Sequence, residues 1–225
     1  MRKFTLGAIA TTAVLLAGCG GQSGQSNGPS GGGTAATIAN PTDFALAADA
    51  KILDAKPFNQ TVTVKENGGS ALAQGSGTYN GHTVIAQSTG SVADVKAWLA
   101  KEEGSPPAGY AYMSGSANPR AVATAAKYGV TFAVFKGDKK GAIVAVIDSK
   151  LAHEKLGFLL DLVDKYRMVP ESMRGQIDQE VKKRAGMSVT EALDPSAPIG
   201  MTVEALKAVN GSDNPAIVII DAAKQ

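Results

Sequence analysis

The stretch Val130–Asp148, VTFAVFKGDKKGAIVAVID, decides the fold of this chain. Two nearly continuous apolar runs, VTFAVFK and GAIVAVID, flank the polar segment Gly137–Lys140, and this order predicts a β-hairpin. Runs that are apolar at almost every position are typical of central strands that are covered on both faces. The stretch therefore predicts the middle of a covered sheet.

The chain ends in another apolar strand, PAIVIIDA at 215–222. A C-terminal strand has to pair with an earlier one, so we expect the helical region before it to pack back onto the sheet. That region contains helical patterns at 149–168 and 171–186, a capping-box pattern from Ser188, and a last helix from about Val203 to Val209.

Shorter elements precede the central hairpin. Residues 59–67, NQTVTVKEN, alternate like a strand, and Asn67–Gly69 marks a turn. A short strand at 71–79 then meets Asn80–Gly81 before HTVIAQS, and Asn-Gly between extended runs is the strongest short hairpin signal. The sequence therefore predicts a further hairpin that turns at Asn80–Gly81.

Two helices and a strand lie between these hairpins. Ser91 and Asp94 form a capping-box pattern at the start of a helix through about Glu103. A strand is predicted at 108–115, and SANPRAVATAAKYG at 116–129 predicts a second helix that closes at its final glycine.

Together these patterns predict one α+β domain over residues 41–225. Its sheet is mixed or antiparallel with two β-hairpins, and its helix-rich C-terminal third ends in a strand. Tyr110 and Tyr112 share one strand face, where we expect core packing, with stacking on a sugar or peptide as the alternative.

The N-terminus carries an export pattern. Met1–Lys3 is positively charged, and the apolar run FTLGAIATTAVLLAG that follows has 15 residues. A membrane-spanning helix needs about 20 apolar residues, so the shorter run indicates an export signal. The only cysteine of the chain, Cys19, comes directly after this run.

Leu16-Ala17-Gly18-Cys19 resembles the lipobox of bacterial lipoproteins. The resemblance implies a signal peptide over 1–18, cleavage before Cys19, a diacylglyceryl group on its sulfur and acylation of the new amino group. One acyl chain binds a bilayer only marginally, whereas two or more anchor a protein stably. Gly20 stands where retained inner-membrane members often carry Asp, which favours the outer membrane, periplasmic face, in a Gram-negative cell.

The segment that follows Cys19 has the composition of a tether. Residues 20–40 are rich in Gly, Ser, Gln and Asn and carry no charge. Such a segment behaves as a flexible coil that spans about 25 Å. We therefore expect residues 19–40 to form a lipidated tether.

Charge and cysteine content exclude several classes of function. Outside the signal peptide, basic and acidic residues balance at 20 each, so neither nucleic acid nor an anionic lipid surface is expected as the main partner. One cysteine excludes an internal disulfide and any zinc site that needs several thiolates.

Few residues carry recognisable chemistry. The two histidines are His82, expected to begin a hairpin strand, and His153, expected on the surface of a helix. HExxH and SxxK patterns are absent, GxSxG occurs only within the Gly/Ser-rich segment 20–40, and Ser91 and Ser188 are explained as helix caps. The sequence therefore predicts no catalytic residue, metal ligand or cofactor.

One loop is a candidate ligand site. MSGSANPR at 113–120 places small residues before a helix N-terminus, where backbone N–H groups bind anions. Its candidate ligand-binding residues are Ser114, Ser116, Asn118 and Arg120. The lysine and spacing of a P-loop are missing, so a purely structural loop is the alternative.

These observations predict a lipid-anchored envelope protein with a non-catalytic binding, scaffolding or inhibitory domain. Its expected partners are the bilayer, through acylated Cys19, and an envelope protein or cell-wall component. The alternatives are an anchored hydrolase of an envelope polymer, using either histidine with an acid, and a small-anion binder that uses the 113–120 loop.

Overall fold

Apolar runs and well-capped helices alternate along the chain, and each forms a regular element in the computed structural model. The structure describes residues 37–62, 77–113, 119–185, 188–189 and 198–225, and residues from Ile38 to Gln225 form one compact unit. In chain order the elements are β1 (Ala50–Val62), β2 (Gly77–Ser88), α1 (Val92–Gly104), β3 (Ala111–Tyr112), α2 (Pro119–Lys127), β4 (Val130–Lys136), β5 (Lys140–Ile147), α3 (Ser149–Met168), α4 (Glu171–Ala185), α5 (Pro198–Val209) and β6 (Ala216–Lys224).

The strands form one six-stranded sheet in the order β1-β2-β6-β5-β4-β3. Every neighbouring pair is antiparallel. The C-terminal strand β6 enters the middle of the sheet between β2 and β5, and helices pack on the sheet. The predicted α+β fold class is therefore confirmed, with an antiparallel sheet.

The central hairpin forms as its sequence predicts. Strands β4 and β5 pair from Val130↔Ile147 to Lys136↔Gly141, and the Gly137 amide donates to the Lys140 carbonyl at 2.8 Å. Every residue of β5 after Lys140 is buried, as expected of a strand covered on both faces.

The two faces of the sheet bury different neighbours. On the face that we call the helix-rich face, sheet residues such as Ile143 and Val218 pack against buried residues of α2, α3, α4 and α5. On the opposite face, which we call the α1 face, Val144 and Ile219 pack against α1 and against Phe44. Successive residues of β5 and β6 alternate between these two clusters, as the period of a β-strand requires.

Local signals fix the ends of several helices. Ser91 accepts from the Asp94 amide, and Asp94 accepts from the Ser91 amide at 3.0 Å, so the predicted capping box of α1 is confirmed. Gly129, with φ of 76°, follows α2 and closes it, also as predicted. Asp148 caps α3 by accepting from the Leu151 amide at 3.0 Å.

The predicted hairpin turn at Asn80–Gly81 is wrong. Both residues lie inside the continuous strand β2, and β1 begins at Ala50 instead of Asn59. Gly81 serves close strand packing, because a Cβ there would lie 1.9 Å from the Asp221 carbonyl oxygen. His82 consequently sits within a strand and does not begin one.

Other predicted bounds also move. Within the described part of the strand predicted at 108–115, only the two residues of β3 are extended in the sheet, and α5 begins at Pro198 instead of Val203. The turn at Asn67–Gly69 and most of the helix predicted from Ser188 lie outside the described residues.

Candidate functional site

Most residues of the predicted sites lie outside the described part of the chain. This holds for Cys19 and for Ser114, Ser116 and Asn118 of the predicted anion loop. Arg120 belongs to α2, of which only the backbone is described at this position. The lipidation site and the anion loop therefore stay predictions.

The histidines take separate positions. His153 is exposed on α3, as the sequence predicts, and its neighbour Glu154 pairs with Lys155 at 2.7 Å. His82 lies directly opposite Asp221 in the β2–β6 register, on the α1 face. Among the described residues, no hydrogen bond joins the His82 ring to the Asp221 carboxylate, which has other partners.

Those partners form a polar cluster at one end of the α1 face. The Tyr110 hydroxyl donates to Asp221 Oδ1, and the Asp43 amide donates to Asp221 Oδ2 at 3.4 Å. Lys140 Nζ pairs with Asp43 Oδ2 at 2.7 Å and lies 4.1 Å from the centroid of the Tyr110 ring. We call Asp43, Tyr110, Lys140 and Asp221 the polar cluster.

The electrostatics of the polar cluster keep Tyr110 protonated. Burial, and then the hydrogen bond to Asp221, raise the pKa of the Tyr110 hydroxyl far above its ordinary value. A phenol with so high a pKa is a hydrogen-bond donor at neutral pH and is not available as a base. These contacts therefore give the polar cluster a structural role.

The polar cluster fixes the segment 38–49, which we call the strap. Phe44 of the strap is 1% exposed, and its ring centroid lies 5.0 Å from that of Tyr110 and 4.9 Å from that of Phe135. Tyr112 also packs on Phe135, so both tyrosines serve packing, as the sequence predicts. The strap thus covers the part of the α1 face that α1 leaves uncovered.

The other end of the strap is fixed by Asp49. Its Oδ2 accepts from the Ser88 hydroxyl at 2.5 Å, from the Thr89 hydroxyl at 3.3 Å and from the Gly90 amide. The hydrogen bond from Ser88 is the main cause that lowers the pKa of Asp49. Asp49 therefore ties the strap to the loop that precedes α1.

A groove with a volume of about 420 Å³ lies between the strap and α1. This volume falls within the range of roughly 300–1,000 Å³ that is typical of small-molecule sites. The groove is lined on the strap side by Ala45, Leu46, Ala47, Ala48 and Asp49, and on the helix side by Asp94, Val95, Ala97, Trp98, Lys101 and Glu102.

Trp98 is the only tryptophan of the chain and forms part of the groove wall. Its Nε1 is buried and has no hydrogen-bond partner among the residues that the structure describes. A buried donor without an acceptor costs about 1–3 kcal/mol, and a phenylalanine at the same place would avoid that cost. Packing alone therefore does not explain why an indole stands here.

Glu102 lies four residues after Trp98, so the two side chains are neighbours on one side of α1. Burial raises the pKa of the Glu102 carboxyl, and nearby Lys101 lowers it to a smaller extent. No hydrogen bond or ion pair to this carboxylate occurs within the described ranges. The groove thus joins an aromatic wall to a partly desolvated acid.

Sequence reasoning missed this groove. Val95, Trp98 and Leu99 have the spacing that is typical of the apolar stripe of a helix, and Val95 and Leu99 do form that stripe. The strap has no periodic pattern, so its contact with α1 follows only from the tertiary structure. The single available signal was that the one tryptophan stands beside polar residues at helical spacing.

Three further findings concern metal sites, membrane-spanning helices and similarity to known proteins. In the described ranges, no group of three or more His, Cys, Asp or Glu is placed to hold a metal ion. No helix in these same ranges is long and apolar enough to cross a bilayer. Comparison of the chain with protein-family models, curated proteins and solved structures finds no match.

Proposed function

We propose that this chain is an exported lipoprotein, anchored through acylated Cys19, whose domain is a non-catalytic binding module. The anchor is supported by the positive start, the short apolar run and the lipobox-like LAGC, which occur together at the N-terminus. The uncharged segment 20–37 between Cys19 and the compact unit supports a tethered domain.

The groove between the strap and α1 is the observation that carries the binding function. Its lining combines apolar residues with a few charged ones, which is the usual composition of a ligand site. Both of its walls are fixed: α1 by its capping box, and the strap by Asp49 and the polar cluster. A binding site with fixed walls orders little on binding, which favours affinity.

The polar cluster supports this proposal over an anchored hydrolase. His82 and Asp221 face each other across two strands, as a base and its orienting acid would. Yet both oxygens of Asp221 accept from the strap and from Tyr110, so this carboxylate positions the strap. We therefore place the ligand in the groove and give the cluster a structural role.

The anchor is tested by labelling cells with a fatty-acid analogue. Wild-type protein is expected to carry the label, and Cys19→Ala is expected to lose it and to accumulate as full-length precursor. Cys19 is the only cysteine of the chain, so thioester or thioether attachment elsewhere is excluded by sequence. Equal labelling of the two proteins would overturn the proposed anchor.

The binding function is tested by site-specific photo-crosslinking of the anchored protein in its envelope. A photoreactive residue replaces Ala97, which is exposed and lines the groove, or Lys150, which is exposed on α3. Adducts are expected at position 97 and not at 150, and Trp98→Ala is expected to abolish them. Identical adducts at both positions would contradict a site in the groove.

A further inference from the structure

The charges in the groove favour a positively charged ligand. Asp49, Asp94 and Glu102 line it together with the single cation Lys101, whereas the chain outside its signal peptide is formally neutral. Asp49 and Asp94 already accept hydrogen bonds from the loop before α1. Glu102 has no such partner among the described residues, so its charge is the one left for a ligand.

Trp98 supplies the aromatic ring that an ammonium site uses together with an acidic side chain. A cation over an indole face is held by the quadrupole of the ring, and tryptophan is the strongest of the aromatic side chains in this role. Trp98 and Glu102 lie one helical turn apart and both line the groove. Residues four apart on a helix have neighbouring side chains, so a cation bound between these two can lie close to both.

We propose that the groove binds an organic ammonium cation, with the cationic group against Trp98 and Glu102 as its counter-charge. The proposal rests on the proposed function, because it takes the groove to be the binding site. It goes further by fixing the charge and chemical class of the ligand. Free amines and quaternary ammonium lipid headgroups share this chemistry.

The first test is a titration of the soluble domain, residues 38–225, with choline, monitored by tryptophan fluorescence. This range forms one compact unit, and Trp98 is the only tryptophan of the chain, so every change in indole emission reports on the groove. The control ligand is the neutral isostere of choline, in which a quaternary carbon replaces the nitrogen. Sodium chloride matches the ionic strength.

Choline is expected to saturate the fluorescence change at least about tenfold more tightly than its neutral isostere, because only the cation gains the attraction of the ring and the carboxylate. Equal affinities would show that the groove recognises shape alone and would overturn the proposal. This comparison uses the wild-type protein and so does not depend on the folding of any variant.

The second test uses a matched pair of variants. Glu102→Gln is expected to weaken choline binding about tenfold and to leave the isostere unchanged, because it removes the counter-charge. Glu103→Gln is the control, since Glu103 is the next residue of α1, is also half-buried and does not line the groove. Equal choline affinities in the two variants would contradict the role of Glu102.

The third test separates the two sources of the cation. Sedimentation of the soluble domain with phosphatidylcholine vesicles, reversed by free choline, would support the cation site and assign a lipid headgroup to it. Choline binding without sedimentation would support the site and assign a free amine. Absence of choline saturation would overturn the cation proposal, while groove-specific crosslinks at position 97 would still support the proposed binding function.

Discussion

The helix-rich face and the α1 face of the same sheet are covered in different ways. Four helices of the described ranges cover the helix-rich face, where their buried apolar residues form one large cluster with the sheet. The α1 face is covered by one helix of 13 residues and by the strap, which has no regular structure. The polar cluster and the groove both lie on this second face.

The difference separates stability from binding. A thick apolar layer contributes most of the burial that holds a domain together. A face that is covered by only a few segments has gaps between them, and the groove is such a gap between the strap and α1. We therefore expect substitutions on the helix-rich face to lower the stability of the whole unit most, and substitutions in the strap to act mainly locally.

The largest effect is expected from Leu156→Ala on the helix-rich face. Leu156 is fully buried, so the substitution removes buried methyl groups and leaves a cavity. We expect the free energy of unfolding to fall by about 2–5 kcal/mol. Urea denaturation checks this value, with Met168→Ala as the control because Met168 is 77% exposed. A loss confined to α3, with the sheet still protected from hydrogen exchange, would contradict the assignment.

Phe44→Ala on the strap is expected to have a smaller global effect than its burial suggests. Truncating a buried phenylalanine typically costs about 3–5 kcal/mol. Without the Phe44 ring, the strap of the variant is held mainly by Asp49 and the polar cluster, so we expect it to open by itself before the sheet unfolds, and this local opening limits the global loss. Hydrogen exchange by mass spectrometry should show faster exchange over 38–50 and unchanged exchange in β5. Equal acceleration in β5 would show that the strap belongs to the same cooperative unit as the sheet.

Tyr110→Phe is expected to lower the free energy of unfolding by about 1–3 kcal/mol, because Asp221 loses a donor in a partly buried site. The pKa of Tyr110 is raised in the folded protein, so the folded state keeps a proton that the unfolded chain loses above about pH 10. Stability from Tyr110 is therefore complete below that pH and falls above it. Between neutral and alkaline pH, the free energy of unfolding should depend less on pH in the variant than in the wild type. Parallel curves would contradict the assigned pKa direction.

These contrasts also show what the sequence reveals. The central hairpin and β6 were predictable because long apolar runs have few other uses, and α1 because Ser91 and Asp94 carry a local capping signal. The turn predicted at Asn80–Gly81 was wrong because β2, which contains both residues, pairs with two neighbouring strands. This pairing overrides the local turn preference of Asn-Gly. The groove could not be predicted because the strap and α1 are far apart in the sequence. The strap has no periodic pattern, and the two segments come together only in the folded domain.

The smallest effect is expected from changes to the cap of α1. Ser91→Ala removes the side-chain acceptor for the Asp94 amide, and such losses cost about 0.5–2 kcal/mol, whereas glycine at an N-cap costs only a few tenths. Since α1 forms one wall of the groove and begins at this cap, Ser91→Ala should loosen that wall more than Ser91→Gly does. Choline titration of both variants checks this, with a larger loss of affinity expected for alanine. Equal affinities together with unequal stabilities would show that the groove does not depend on the first turn of α1, and that the wall is fixed by Val95 and Leu99 in the core.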